Sequence, residues 1–407
     1  MEKRIYFDWA ATAGNFDASN PFCKTAGGMP YGNPSSQHSE GRSAKLALED
    51  ARNRCASVLN VPAESLYFTS GGTEANSIAL FSSLMRPGKG RVISSLAEHA
   101  SVREGMETLE KMGTPTGRIA VDSSGRVTAE TLSKALSQYG GALEASLRAL
   151  EASPRVLEAS PQVRFAAIMS VNNETGAVTD IASLRNVIRK HSLDGKAPIH
   201  FHCDLVQAAG KIPIDIPGWE IDSAAISAHK ISGPLGIGLL YLKKPVEVFY
   251  TGGGQENKIR GGTENVFGAL ALADCLEKYA GQNIQVQYAA AKIRWNKLIT
   301  SLSAIKRCRI IPKERLADDD RFSPYILQAS FKDIPGEVMA RALDDLGFAV
   351  STGSACSTSS PERPVLAAMG VEETLRIEGI RISQGYSTTD QDIDLLLNAI
   401  AEVLKFL

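Results

Sequence analysis

Several short stretches of this chain carry side chains whose type and spacing suit covalent or acid–base chemistry. In "AAISAHKISGPLGIGLLYL" an apolar run delivers Ser227, His229 and Lys230 to a glycine-rich turn, and a second apolar run leaves it. Most lysines are solvated surface charges. An amine bracketed by a serine, a histidine and glycines at the mouth of a sheet instead suits one that must be near neutral to form a Schiff base. In "PIHFHCDLVQAAG", strand periodicity places His200, His202 and Asp204 on one face and Cys203 on the other. In "STGSACSTSSPERP", Cys356 sits among small and hydroxylated residues, whereas Cys275 in "LALADCLEKYA" has the apolar neighbours of a packing thiol. A thiol in a loop of that composition, with no apolar stripe around it, suits a nucleophile on a mobile loop better than a packing role.

Three further readings follow, one for an anion and two for a cation. "TSGGTEANS" follows an apolar run and opens a helical one, so its glycines, Gly72 among them, and Thr73 would present donors to an anion at a helix N-terminus. It is not a P-loop, because no GK[ST] follows. The H-x-H plus carboxylate could begin a metal site, but no further ligand cluster of recognisable spacing accompanies it, and no metal is expected. An acid at a buried strand end, ahead of a Schiff-base lysine, has another use: it can hold the protonated pyridine nitrogen of pyridoxal phosphate and keep that ring an electron sink.

Positioning such groups takes a sheet. Short β-rich runs alternate with longer helical patterns, "SLYFTS" then "EANSIALFSSLM", "RVISSL" then "ASVREGMETLEKM", "RFAAIMSV" then "IASLRNVIRKHS". That is the βαβ rhythm of a parallel sheet covered by helices, whose ligands bind beyond the strand carboxyl ends. Near residue 266 the texture changes to long helices with a few strands. At 407 residues the chain exceeds one ordinary domain. With 44 basic against 45 acidic residues it offers no stripe for a nucleic acid and no polybasic membrane anchor. No apolar run approaches a bilayer span and "MEKRIYFDWA" lacks a signal-peptide core, so a cytoplasmic location is expected. Six cysteines without CxxC spacing are expected to be reduced thiols. One segment breaks the rhythm: residues 143–163 read "LEASLRALEASPRVLEASPQV", three seven-residue units interrupted by Pro154 and Pro161, expected to be an exposed, dispensable insertion.

Phosphate loop, strand-end acid and Schiff-base lysine, in that order, resemble the fold-type I pyridoxal phosphate enzymes. With "NPSSQH", "FTSGGTEAN", "EHASV", "VNNETG", "SAHKISGPLGIG", "GGGQENKIRGGTEN" and "STGSAC" in sequence, the chain resembles the cysteine desulfurases of the class V aminotransferase family, the NifS/IscS group, from "YFDWAAT" to "IRISQGYSTTDQDID". The resemblance implies an α/β fold with a large, mostly parallel sheet domain at 16–265, a segment 1–15 packing with the small domain, and a smaller α+β C-terminal domain at 266–407 that carries the cysteine loop. It implies pyridoxal phosphate as cofactor, Lys230 as its Schiff-base lysine, Asp204 on the pyridine nitrogen and His99 over the ring as an acid/base. Gln207 and Asn173 would position the ring oxygen and substrate; Gly72, Thr73, Ser227 and His229 would hold the phosphate, with Thr263 reaching across from the second subunit of a homodimer. Arg381 would bind the substrate carboxylate, with Asn33 and His38 near the same mouth. Cys356 would take sulfur from L-cysteine as a persulfide for an acceptor protein of iron–sulfur cluster assembly or thiolation. Leu205 replaces the family's usual alanine in D-A-x-Q, and Trp9 is a further departure. A selenocysteine lyase or cysteine lyase would use the same cofactor site without needing Cys356, and an inactive scaffold would keep the fold alone.

Overall fold

The computed structural model describes residues 4–14, 32–86, 90–140, 162–193, 198–353 and 363–407. The repeat from 143 to 161 and Cys356 therefore lie outside the described residues. Twelve strands are named: β1 (Ile5–Tyr6), β2 (Leu66–Thr69), β3 (Arg91–Ser95), β4 (Thr116–Ile119), β5 (Val163–Met169), β6 (His200–Asp204), β7 (Ser223–Ser227), β8 (Gly238–Leu242), β9 (Cys308–Ile311), β10 (Ile326–Phe331), β11 (Phe348–Ala349) and β12 (Gly379–Ser383). The longer helices are α1 (Ser39–Leu59), α2 (Gly72–Phe81), α3 (Ala100–Lys111), α4 (Ala129–Gly140), α5 (Ile181–Leu193), α6 (Val266–Ala280), α7 (Ile284–Ser303), α8 (Gly336–Asp345) and α9 (Asp390–Phe406).

A seven-stranded sheet runs β2-β8-β7-β6-β5-β3-β4. Its strands are parallel except β8, which runs antiparallel to both β7 and β2. β5 through β8 are buried almost throughout, as expected of a sheet covered by helices on both faces, although β6 carries His200, His202 and Asp204. The alternation is strict: Ala166, Ile168, Phe201, Cys203, Ala224 and Ile226 pack in one core, Phe165, Ala167 and Ala225 in another on the opposite face. Gly238 is fixed by this geometry, since a Cβ there would come within 2.6 Å of the Gly71 Cα on the adjoining loop.

A second core gathers Trp295, Leu298 and Leu302 of α7, Leu327, Ala329 and Phe331 of β10, Leu343, Ile380, Ile382, and Ile393, Leu396 and Ile400 of α9. Its sheet is antiparallel, in the order β12-β10-β9. The N-terminal strand belongs with it: β1 pairs with β11 in parallel, and Phe7 lies fully inside this core. The break between the cores falls later than residue 265. Leu272, Ala273, Cys275 and Leu276 of α6 pack in the large-sheet core with Leu48, Ala51 and Cys55 of α1, because α6 turns its small apolar face onto α1 before α7 departs. The repeat also ends earlier than residue 163: Val163 opens β5 and is 1% exposed, so it belongs to the sheet. No helix among the described residues is long and apolar enough to cross a membrane.

Candidate active site

At the carboxyl ends of β2, β3, β5, β6 and β7 lies a cavity of about 270 Å³, lined by Gly72, Thr73, His99, Asn173, Asp204, Gln207, Ser227, His229, Lys230 and Arg381, together with Ala10, Ala11, Asn76, Ser101, Met169 and Val206. The parallel strands bring these groups together because each ends at the same rim and turns there into the loop that carries one of them.

Lys230 sits at the end of a single turn of 3-10 helix directly after β7. Its Nζ donates to the carbonyls of Ala10 and Ala11, both at 2.7 Å. The strip after β1 thus crosses from the second core to hold the amine. Asp204 ends β6: its Oδ1 accepts the Val206 N–H at 2.9 Å and its Oδ2 accepts Asn76 Nδ2 at 2.8 Å. On the same loop, Gln207 Nε2 donates to Ala10 O at 3.0 Å while its Oε1 accepts Lys211 Nζ at 2.7 Å. That lysine is buried, and burial pushes its pKa well below the ordinary lysine range, with the nearby charges of Lys230 and Arg381 adding to the effect.

Gly72 is the first residue of α2, and a Cβ on it would strike Val206 Cγ2 at 2.6 Å. The loop therefore closes down on β6 only with glycine there. The N-terminus of α2 lies at this rim with Thr73, Ser227 and His229, and the N–H groups of a helix's first turn together with these side chains make a set of donors suited to a phosphate. Burial, and then the charge of Lys230, lower the His229 pKa to about 4, so its ring is neutral and its Nδ1 lies 3.3 Å from Thr12 Oγ1.

His99 caps α3, its Nδ1 accepting the Ser101 N–H at 3.1 Å and facing Ser101 Oγ at 2.9 Å. Burial lowers its pKa, opposed by Asp204 and supported by Lys230. With Nδ1 committed as the cap acceptor, the neutral ring carries its proton on Nε2 and offers the cavity a donor. Beneath it, Glu98 is fully enclosed and burial raises its pKa to about 8; its Oε1 accepts the Met169 N–H at 2.9 Å and the Ser95 hydroxyl.

Arg381, 1% exposed on β12, donates Nη1 to Asn173 O at 3.0 Å and Nη2 to Asp8 Oδ1 at 2.8 Å. Its Nε and the Asn173 Oδ1 are buried without a hydrogen-bond partner among the described residues. A donor and an acceptor are thus left open on a wall that also carries a cation. Ser351, paired with Arg381 through two backbone hydrogen bonds, starts the segment toward Cys356 beside this wall.

Three expected residues stand apart from this cavity. Asn33 is exposed and its Oδ1 accepts the Ser35 N–H at 2.9 Å, which closes an Asx turn. His38 is exposed and caps α1, its Nδ1 accepting the Gly41 N–H at 3.2 Å. Both side chains are committed to starting α1 and do not line the cavity. Thr263 is exposed on the loop before α6 and does not line it either. Several lining groups carried no distinctive signal in the sequence. Asn76 could have been found, since it lies four residues after Gly72 on α2 and so on the same helix face. Ser101 and the Ala10 and Ala11 carbonyls had no such marker. Among the described residues no group of three or more His, Cys, Asp or Glu could hold a metal ion. His200 and His202 are occupied by Ser223, Asn76 and Arg86.

The family model of the class-V aminotransferases matches residues 5–147 and 144–396, two stretches that meet within the leucine repeat. The chain is similar over its whole length to the cysteine desulfurase IscS of Dictyoglomus turgidum, at 32% identity covering 95% of that protein. It is 34% identical to a cysteine desulfurase of Cereibacter sphaeroides over 92% of this chain and 89% of that one. Among solved structures, a NifS-like protein superposes with a TM-score of 0.84 at 31% identity, with both chains fully covered. The NifS-like protein of Rickettsia africae gives 0.79 at 27% identity over 99% of this chain and all of its own. The chain belongs to the class-V aminotransferase family and, within it, to the cysteine desulfurases.

Proposed function

We propose that this chain binds pyridoxal phosphate in the strand-end cavity and converts L-cysteine to L-alanine, with the sulfur passing to Cys356 as a persulfide. The observation that carries this reading is the convergence of Lys230, Asp204 and the α2 N-terminus on one cavity from three separate loops. The residues present fit the cofactor: an amine for its carbonyl, a carboxylate for its ring nitrogen, and a glycine-started helix N-terminus for its phosphate. When bound, pyridoxal phosphate supplies an electron sink that makes the substrate Cα–H acidic.

This chain's own residues do the rest. Arg381 holds the substrate carboxylate with its planar fork, and Asn173 orients the same end of the molecule. The Lys230 amine takes the proton from the substrate Cα and returns one later. His99 donates from Nε2 to the ring or the substrate, and Gln207 donates to the ring oxygen. The Cys356 thiolate attacks the substrate sulfur, forming an S–S bond as the Cβ–S bond breaks; the electron pair of that bond goes to the alanine carbon skeleton, which is then protonated. L-Cysteine and the Cys356 thiol thus give L-alanine and the Cys356 persulfide, balanced without an oxidant. Cys356 follows Gly353 by three residues, which span at most about 11 Å. A homodimer in which Thr263 reaches the partner's phosphate site, a cytoplasmic location, and delivery to an iron–sulfur or thiolation acceptor complete the proposal.

Titration with pyridoxal phosphate tests it: one equivalent per chain is expected to raise a visible absorption band, and L-cysteine then to yield alanine. A protein that gains the band yet forms no alanine from cysteine would contradict the reading. A narrower prediction concerns Arg381. Arg381→Lys keeps a cation against Asp8 but removes the fork, so KM for cysteine is expected to rise about tenfold or more while the cofactor band stays in place. Loss of the band would instead mark Arg381 as a structural residue.

A further inference from the structure

The H-x-H pair on β6 is not used in this mechanism, yet it is buried directly beneath it. His202 Nε2 lies 2.9 Å from Asn76 Oδ1, and His202 Nδ1 lies 2.8 Å from Ser223 Oγ. The same hydroxyl lies 2.7 Å from His200 Nε2, and His200 Nδ1 lies 2.5 Å from Arg86 Nη2. Phe165 of β5 stacks on both imidazoles, with centroids 4.9 and 6.2 Å away. Asn76 closes the series on Asp204.

The polarity of every link is fixed from the two ends. A guanidinium only donates, so His200 Nδ1 accepts and the neutral ring bears its proton on Nε2, directed at Ser223. At the other end, Asn76 Nδ2 gives its two protons to Asp204 Oδ2 and Ser101 Oγ, at 2.8 and 2.9 Å. Its Oδ1 must then accept, so His202 donates from Nε2 and accepts at Nδ1. The Ser223 hydroxyl, with one donor on it and one acceptor before it, accepts from His200 and donates to His202. Both rings are neutral: burial, helped by Arg86, pushes the His200 pKa far down, and burial lowers that of His202 to about 3. The donors therefore all point one way, from a cation to a carboxylate.

We propose that Arg86, His200, Ser223, His202 and Asn76 form a one-directional hydrogen-bond relay that ends on Asp204 and holds it aimed at the ring nitrogen of the cofactor. These are positioning residues, and their role rests on the reading that Asp204 pairs with that nitrogen. Aligned hydrogen bonds in a low-dielectric interior polarise one another, so a positive end at Arg86 strengthens the last donor, on Asp204. Of the groups around that carboxylate, Glu98 is buried and its pKa is raised to about 8, so it is largely uncharged, while His99 and Lys230 line the cavity with Asp204. The sheet order explains why the device exists at this place: β6 is flanked by β5, which supplies the stacking ring, and β7, which supplies the hydroxyl.

The test uses the holoenzyme reconstituted with pyridoxal phosphate labelled with nitrogen-15 in the ring, and reads two signals by NMR. In the wild type, His200 and His202 are expected as neutral Nε2–H tautomers that do not titrate between about pH 6 and 8, and the ring nitrogen is expected to be protonated. Ser223→Ala cuts the relay with little change in volume. It is expected to shift the ring-nitrogen signal toward the unprotonated form and to lower kcat by about three- to tenfold, the size of one lost net hydrogen bond. Ser223→Thr restores the hydroxyl and is expected to return both signals. Arg86→Met, at the half-buried far end, is expected to give a smaller shift of the same sign. An Nδ1–H tautomer at His202, or a ring-nitrogen signal unmoved by Ser223→Ala, would overturn the relay. Asp204→Asn separates the two levels: a ring nitrogen still protonated in that variant would overturn the reading of Asp204 itself, and the relay's purpose with it.

Discussion

Lys230→Ala is expected to leave a folded protein that forms no visible band with pyridoxal phosphate and releases no alanine from L-cysteine, a loss of turnover of about a thousandfold or more. The size follows from the geometry. Lys230 Nζ reaches the cavity from the end of β7 and is held there by two carbonyls, Ala10 O and Ala11 O. The other buried amine nearby, that of Lys211, is tied to Gln207 Oε1 and does not line the cavity, so no second amine among the described residues replaces it. Folding should survive, because truncating the side chain leaves two carbonyl acceptors beside a cavity open to water. A small primary amine added to the variant is expected to restore a fraction of turnover, which separates a missing proton carrier from a collapsed site. Turnover within tenfold of wild type in Lys230→Ala would sink the assignment.

The second large effect belongs to Cys356. Cys356→Ser keeps a small polar side chain and removes the thiolate, so the cofactor band and the spectral response to cysteine are expected to persist while sulfur transfer falls by about a hundredfold or more. The four cysteines among the described residues cannot substitute, because Cys55, Cys203, Cys275 and Cys308 are all buried and burial raises every one of their pKa values. A serine variant that forms alanine and sulfide from cysteine at the wild-type rate would make this a direct lyase.

The parts of the site that were legible in the sequence are those whose residue type is costly to bury and whose place is set by strand ends. A lysine after an apolar strand and before glycines, and an acid closing another strand, had few structural uses, and both line the cavity. Period two also placed His200, His202 and Asp204 on one face correctly; what it could not supply was the neighbour on that face, since Asn76 arrives from a helix far away in sequence. Amides, hydroxyls and carbonyls such as Asn76, Ser101 and Ala10 O carry no compositional mark, and only the tertiary packing shows them. Asn33 and His38 show a different limit. Both are polar and lie within a recognisable motif, but the local backbone claims them first, one for an Asx turn and one for a helix cap. The end of the large-sheet core was also hidden, because α6 is apolar enough to suit either core and only its packing on α1 decides. Arg381 was read for its fork, and its contact with Asp8 in the N-terminal strip could not have been foreseen from spacing across the whole chain.

The most direct measurement is mass analysis of the tryptic peptide containing Cys356 after the holoenzyme has been mixed with L-cysteine and quenched by alkylation. The account predicts one added sulfur atom on that peptide, formed in step with one alanine per chain in the first turnover. Alanine formed in that turnover with no sulfur on Cys356 would contradict it.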